Sequence, residues 1–511
     1  MNTQIILRCA TFSICCLGTL NATADRTGGD ASPRGTGTSI IYVDIDSPGG
    51  DGSSWANALP DLHVALLKNN TAQIWVAEGI YSTNSEGENN PDVSFTLRPY
   101  VDLYGGFQGN ETSLDQRDPQ AHTTTLTGDD IAFHVVCTEG NATIDGFTIT
   151  GGNAVGTSGA RFNGGGILIG GVTQIQNCII TENYATSNGG GIYNDSYSVS
   201  IADCVFEENE AGSMGGAIYT TSGATEVFDS TFINNGAAGG GAIFTDNHSS
   251  IGDKMFVNRC SFTKNYISVD GGDPEQTGGA AIKIYYHTDA VITNSLFTGN
   301  FSNIHGMHGG IIDASGAGGG GDFVKIINCT IAYNRNLSDA PAVNGTDGNV
   351  ALKNSIVWQN SGHFGTSFIN QLDEGSLQWC EYSIIPLPDP PTWMTIINAD
   401  PMFQSARGAD GVFGTGDENF NILPYSPAID QANPGVYPTE YGDGDLDGNW
   451  RQLPDPYTYD GYSDLDIGCY EYTPQSTTTN GFRAWAYHNN DIVDFNTDSL
   501  WEPAIAPSAN D

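Results

Sequence analysis

Positive charge is what this chain has least of: 17 Lys and Arg stand against 59 Asp and Glu, a formal balance of −42. A surface so acidic repels phosphate backbones and anionic headgroups, which excludes nucleic acid as an expected partner. Long apolar runs are missing too. Past the first two dozen residues nothing is long enough to cross a bilayer as a helix, so no transmembrane segment is expected. Extended stretches of Ala, Leu, Glu and Lys are absent, which argues against a helical fold. The ten cysteines also make no framework. Cys9, Cys15 and Cys16 lie in an export leader; Cys137, Cys178, Cys204, Cys260, Cys329, Cys380 and Cys469 remain, an odd set at irregular spacing.

What is abundant is Gly, at 66 residues about twice the usual share, together with Thr, Ser, Asn and Asp. That mixture favours many short strands joined by turns. The leader is read over residues 1–24: Arg8, an apolar stretch from Cys9 to Leu20, then Ala22-Thr23-Ala24 as a small-residue cleavage site. Two readings of the acidity stay open. It keeps an exported protein soluble, or it makes divalent cations natural counterions for clustered carboxylates.

The middle of the chain repeats one short pattern. Cys178-Ile-Ile-Thr-Glu-Asn183 returns as Cys204-Val-Phe-Glu-Glu-Asn209, Ser230-Thr-Phe-Ile-Asn-Asn235 and Cys260-Ser-Phe-Thr-Lys-Asn265. It returns again as Ser295-Leu-Phe-Thr-Gly-Asn300, Cys329-Thr-Ile-Ala-Tyr-Asn334 and Ser355-Ile-Val-Trp-Gln-Asn360. Glycine corners alternate with these, as in Gly189-Gly190-Gly191-Ile192, Gly215-Gly216-Ala217-Ile218 and Gly240-Gly241-Ala242-Ile243. The Asn-to-Asn spacings are 26, 26, 30, 35, 34 and 26 residues. A period of this size means a solenoid. Each unit holds two or three strand-like runs and has no room for a ten-residue helix, so the expected fold is all-β, a right-handed parallel β-helix.

The repeated residues then acquire physical jobs. Phe206, Phe232, Phe262 and Phe297 are expected to stack inward. Asn183, Asn209, Asn235, Asn265, Asn300, Asn334 and Asn360 are expected to form an amide ladder at a corner. The Cys/Ser column is expected to be small and inward, its thiols buried and reduced, although Cys178 and Cys204 on adjacent coils are near enough for a disulfide.

Gly-Gly-Ala-Ile paired with Phe-x-x-Asn resembles the chlamydial polymorphic outer-membrane-protein repeat over about Thr143 to Asn360. The resemblance implies a surface-exposed passenger β-helix used in adhesion. Proteins of that kind end in a membrane β-barrel, and no run of alternating ten-residue strands is seen here.

Around the repeats, residues 40–135 read as an N-terminal cap and first coils, with one amphipathic helix from Leu59 to Leu67. The repeats occupy 136–399. Residues 400–472 read as a loop-rich acidic C-terminal cap, and 473–511 as a Ser/Thr linker and polar tail. Asp400-Pro401-Met402-Phe403, Ser426-Pro427-Ala428-Ile429-Asp430 and Asp466-Ile467-Gly468-Cys469-Tyr470-Glu471 resemble the C-terminal end of choice-of-anchor β-helix proteins of environmental bacteria, planctomycetes among them.

Four candidate chemistries are legible. Asp443-Gly444-Asp445-Leu446-Asp447-Gly448 has the alternating carboxylates of a calcium loop, but its twelfth position is Pro454 rather than Glu; Asp410 with Asp417 is a second acidic turn. The competing reading is solvated turns. Gly128-Asp129-Asp130 is the one carboxylate pair reminiscent of a glycan hydrolase, without the companion elements that chemistry needs. Lyase chemistry needs a base among Arg161, Lys254, Arg259, Lys264, Lys283, Lys325, Arg335 and Lys353, which form no arginine cluster. His305, His308 and Asp313 could hold a transition metal.

A fifth reading concerns binding. The three long coils are consecutive, with extra residues at Tyr266–Thr277, Phe301–His308 and Gly316–Asp322, and consecutive insertions should raise one wall along the shaft. Tyr266, Tyr285, Tyr286 and Phe301, with Asp270 and Asp273, are the candidate glycan contacts there. The expected function is a non-catalytic, secreted or cell-surface β-helix binding an extracellular glycan or envelope surface, with calcium as the expected cation. The alternatives are a polysaccharide lyase or glycoside hydrolase, and a structural envelope protein.

Overall fold

The computed structural model describes residues 39–496 except 69–70, 85–86, 88, 196, 222, 247–252, 268–275, 286–287, 304–308, 315–322, 337–340, 346–348, 363–371, 373–376, 388–389, 412–416, 437–443, 450, 452–464, 473–482 and 489–490. The leader, Asp270, Asp273, Tyr286, His305, His308 and Asp443 thus lie outside the described residues.

The chain is an all-β right-handed parallel β-helix, the hand that twisted parallel strands favour in their crossovers. The strands form three parallel sheets, and the coils between Asn153 and Asn336 contribute to all three. The large sheet, of 23 strands, takes two strands per coil; nine strands form a second sheet and seven short ones a third. Register is one residue to one residue between coils. Ile175 pairs with Ile201, Val227, Val257, Ile292, Ile326 and Leu352 in succession. Because side chains alternate faces, this alignment puts one apolar column inside each sheet.

Two corners explain why polar residues recur at fixed places. At the first, Asn177, Asp203, Asp229, Arg259, Asn294, Asn328 and Asn354 all have positive φ, between 48 and 53°. Four of the seven are Asn and two are Asp, the side chains that tolerate the left-handed region best after Gly. At the second corner the left-handed residue is Glu182, Glu208, Asn234, Lys264, Gly299, Tyr333 or Gln359. No residue preference serves that bend, and the asparagine that follows it holds the corner instead. Asn183, Asn209, Asn235, Asn265, Asn300, Asn334 and Asn360 are all buried. Each Nδ2 from Asn183 to Asn334 donates to the next coil's Asn Oδ1 at 2.9–3.1 Å. The same Oδ1 also accepts the preceding asparagine's backbone N–H. A second bond from Nδ2 reaches a strand carbonyl one coil back, such as Phe206 O for Asn235. Every buried polar atom of the column is therefore paired.

Beside the ladder, Phe206, Phe232, Phe262 and Phe297 stack with ring centroids 4.7–4.8 Å apart and planes within 3°. That distance is the spacing of neighbouring strands, so identical residues in register must stack face to face. The seven described cysteines are buried and free of disulfides. Burial pushes the Cys260 and Cys329 thiols up to about 12, which leaves them unreactive packing groups.

The N-terminal helix α1 spans Leu62–Leu66, shorter than the expected Leu59–Leu67. Leu59 is held as extended chain, its N–H on Tyr42 O and its carbonyl on Asp44 N–H, both at 2.9 Å. Asp61 then caps the helix by accepting the His63 amide at 2.8 Å. Leu62, Ala65 and Leu66 close the core over Val43 and Phe95.

The acidic segment from residue 400 lies along a flank of the shaft. Leu296, Thr330 and Ile356 point outward from the large sheet, yet all three are buried. Phe420, Cys469 and Ile467 lie among the residues that cover them. The Cys469 amide donates to Thr330 Oγ1 at 3.2 Å, and Gly468 N–H to Asn354 O at 2.9 Å. Gly468 has φ +105, and a Cβ there would sit 2.8 Å from Ile356 Cδ1. Only glycine allows that approach.

Candidate binding face

The seven-stranded sheet carries two of the expected contacts, Tyr266 and Phe301. Its strands are two residues long, so each coil offers one inward and one outward side chain. Ala154, Ala185, Ala211, Ala237 and Ile267 face in. Asn153, Tyr184, Glu210, Gly236, Tyr266, Phe301 and Arg335 follow one another in register on the outside. Tyr266 and Phe301, expected as glycan contacts, are thus direct neighbours on adjacent coils. Both are half-buried.

Their surroundings are specific. The Tyr266 ring lies over Gly236, where a Cβ would come within 2.4 Å of a ring carbon. Glycine at 236 is what lets the tyrosine lie down along the shaft. Burial, with the carboxylates of Glu210 and Glu208, raises the Tyr266 hydroxyl above its ordinary value, so it stays a neutral donor. The Arg335 guanidinium stands 5.6 Å from the centre of the Phe301 ring. The column therefore runs from acid through two aromatics to a cation.

Tyr285 does not belong to this face. It is 2% exposed on the outside of the nine-stranded sheet, in a cluster with Tyr219 and Phe244. In that sheet Tyr193, Tyr219 and Phe244 stack at 5.3 and 5.6 Å, and Tyr285 adds its ring 6.1 Å from Phe244. The first three rings stack on one another, and Tyr285 is closed off from solvent beside them.

The single wall of insertions also needs correction. Residues 268–275 and 304–308 both connect the seven-stranded to the nine-stranded sheet. Residues 315–322 instead follow the strand Ile312–Asp313 and lead into Val324–Ile327, a different corner, and 247–252 share that corner. The spacing between asparagines records how many residues a coil gained but not on which side. Two corners carry the extra length.

The remaining candidates are placed as follows. Asp129 and Asp130 are successive left-handed turn residues (φ 54 and 57°) after the strand Thr124–Thr127, and Asp129 accepts from Ser82 Oγ. Asp417 Oδ2 accepts the Ala409 and Asp410 amides at 2.6 and 3.2 Å, a closed turn. Asp313 is fully buried, 3.3 Å from Lys283 Nζ, and Asn344 Nδ2 approaches its Oδ1 at 3.4 Å.

For calcium, Asp445 and Asp447 are the described members of the expected loop. Asp445 is buried, and its oxygens accept Asn449 N at 2.7 Å, Asn449 Nδ2 at 3.1 Å and Glu471 N at 2.8 Å. Asp447 is exposed and takes Asn421 Nδ2 at 3.2 Å. Among the described residues no group of three or more His, Cys, Asp or Glu could hold a metal ion. Asp443, the first carboxylate of the loop, lies outside the described residues, so calcium there stays an expectation.

Asp445 belongs instead to a buried knot that composition did not reveal. Arg451, 1% exposed, donates to Glu471 Oε1 at 2.5 Å, Gly468 O at 2.7 Å and Asp466 O at 3.3 Å. Asp466 accepts Asp430 N at 2.8 Å and Tyr472 N at 2.6 Å. Burial raises Glu471 to about 8 against the pull of Arg451, and the nearby Asp466 and Asp445 carboxylates add to the rise.

Three stretches match the model of the Chlamydia polymorphic membrane protein repeat: residues 177–195, 203–221 and 229–246. They coincide with three coils of the ladder. Among solved structures, the crystal structure of pectate lyase Pel9A aligns at TM-score 0.46 and 13% identity, over 85% of this chain and 96% of that one. No curated protein sequence matches the chain. Among the described residues no helix is long and apolar enough to cross a membrane.

Proposed function

We propose that this is an exported, non-catalytic β-helix that binds an extracellular glycan or envelope surface through the outward column centred on Tyr266 and Phe301. The observation that carries the reading is their register. Two aromatic side chains on adjacent coils share one face, flanked by Glu210 at one end and Arg335 at the other. Aromatic rings offer apolar faces to the C–H side of a sugar, while carboxylate and guanidinium serve its hydroxyls. The polymorphic membrane protein repeats favour a surface location.

The test is binding of the purified chain to immobilised neutral and uronate glycans and to whole cells, with Tyr266→Ala/Phe301→Ala alongside. The double variant should lose at least tenfold in affinity while its melting curve stays close to that of the parent chain. Equal binding by both overturns the site. Release of reducing ends or unsaturated products from any glycan overturns the non-catalytic reading in favour of a hydrolase or lyase. Fractionation of the producing cell into envelope and medium tests the location.

A further inference from the structure

The outward face of the nine-stranded sheet changes character along the shaft. Tyr193, Tyr219 and Phe244 occupy one column, and the next three coils place Lys283, Asp313 and Asn344 in the same column. Lys283 and Asp313 are paired residues of adjacent strands, Nζ to Oδ1 is 3.3 Å, and both side chains are 0% exposed. The ammonium end lies 5.9 Å from the centre of the Tyr285 ring. Asp246, in register with Tyr285, adds a second buried carboxyl to this face.

A lysine and an aspartate shut away from solvent are costly as an ion pair, because both charges give up their hydration by water. The same seclusion suits a different outcome. We propose that Lys283 and Asp313 condense to an intramolecular isopeptide bond that rivets two successive coils together. The proposal is independent of the glycan-binding reading.

The step balances without any co-reactant. Transfer of one proton from Nζ to the Asp313 carboxylate turns the ion pair into a neutral amine and a neutral acid. The amine lone pair attacks Cγ, forming the N–C bond. The tetrahedral carbon then expels its hydroxyl, which takes up a proton from the nitrogen and leaves as water. Nothing is oxidised or reduced. Fixed strand register holds nucleophile and carboxyl together for the lifetime of the fold, which replaces the activation that a free amine and acid would require. Amide formation also removes both charges from the buried site.

The sequence makes the test unambiguous. Between Lys264 and Lys325 the only Lys or Arg is Lys283. Trypsin acting on the denatured, purified full-length chain therefore yields two peptides, 265–283 and 284–325, if Lys283 carries a free amine. The isopeptide blocks cleavage at Lys283 and leaves one peptide, 265–325, lighter by one water. Mass spectrometry of that digest should find the single dehydrated peptide in the parent chain, with fragment ions joining Lys283 to Asp313. In Asp313→Ala the peptides 265–283 and 284–325 should appear instead. Recovery of these two peptides from the folded parent protein overturns the proposal, and because that result comes from the parent chain it stands whether or not the variant folds.

Discussion

The shaft and the flank hold their buried polar groups in opposite ways. Along the shaft, one neutral amide is repeated from coil to coil, and each asparagine satisfies the one before it and is satisfied by the one after. Seven copies from Asn183 to Asn360 need no charge and no special partner. The flank uses a single arrangement of unlike groups: one guanidinium, Arg451, set against Asp445, Asp466 and Glu471 with little solvent near. The difference shows that a ladder removes the cost of burying polar atoms by translation, whereas a charged knot concentrates that cost in one place. A ladder should tolerate local damage and ignore pH; the knot should do neither.

The largest expected effect is at the knot. Arg451→Ala leaves the buried Glu471 and Asp466 carboxyls without their cation and should cost the flank about 4 kcal/mol. Limited proteolysis should then cut within 400–472 while the shaft stays intact; an unchanged digestion pattern would show that the knot does not hold the segment. Asn235→Ala removes the acceptor for Asn209 N and Nδ2, and should lower shaft stability by about 2 kcal/mol in denaturant unfolding. If it costs as much as Arg451→Ala, the contrast between the two regions fails.

Titration sharpens the comparison further. Glu471 lies at about 8 in the folded chain against an ordinary 4.5, so the folded flank holds a proton that the unfolded chain releases. Its stabilising effect is complete below 4.5 and is lost as pH rises toward about 8. Asp466, also raised by burial, acts in the same direction. Hydrogen exchange of the Gly468 and Cys469 amides should therefore quicken between pH 5 and pH 8 relative to the intrinsic rate, roughly following that linkage, while the Phe232 amide should not. Glu471→Gln should flatten the profile. The smallest effect concerns calcium: with Asp445 engaged by Asn449 and Glu471, neither chelator nor added calcium should move the melting temperature, and a clear rise with calcium would establish the loop as a metal site.

Much of the fold was legible because a solenoid writes its contacts into its period. Phe232 stacks on Phe206 and Phe262 since all three hold the same place in successive coils, and the asparagine ladder follows from the same repetition. The candidate face was legible only in part. Tyr266 and Phe301 sit at equivalent places just after the ladder asparagine, so their adjacency could be counted. Tyr285 could not be excluded by counting, because its burial depends on Tyr219 and Phe244 stacking on the outside of a different sheet. The knot was legible only in part: Asp466 and Glu471 stand in one motif of the C-terminal segment, but Arg451 belongs to no repeat and no spacing ties it to them.

Local sequence alone determined the coil: glycine corners, strands of alternating polarity and one asparagine per turn leave translation along an axis as the arrangement that pairs every backbone group. The tertiary structure alone decided which outward residues meet water. It laid the segment after residue 400 over Leu296, Thr330 and Ile356, split the insertions between two corners, and enclosed Lys283 with Asp313. The reason is physical: contacts within the repeat join residues one period apart, whereas those between the flank and the shaft join residues related by no period, and only the folded chain brings them together.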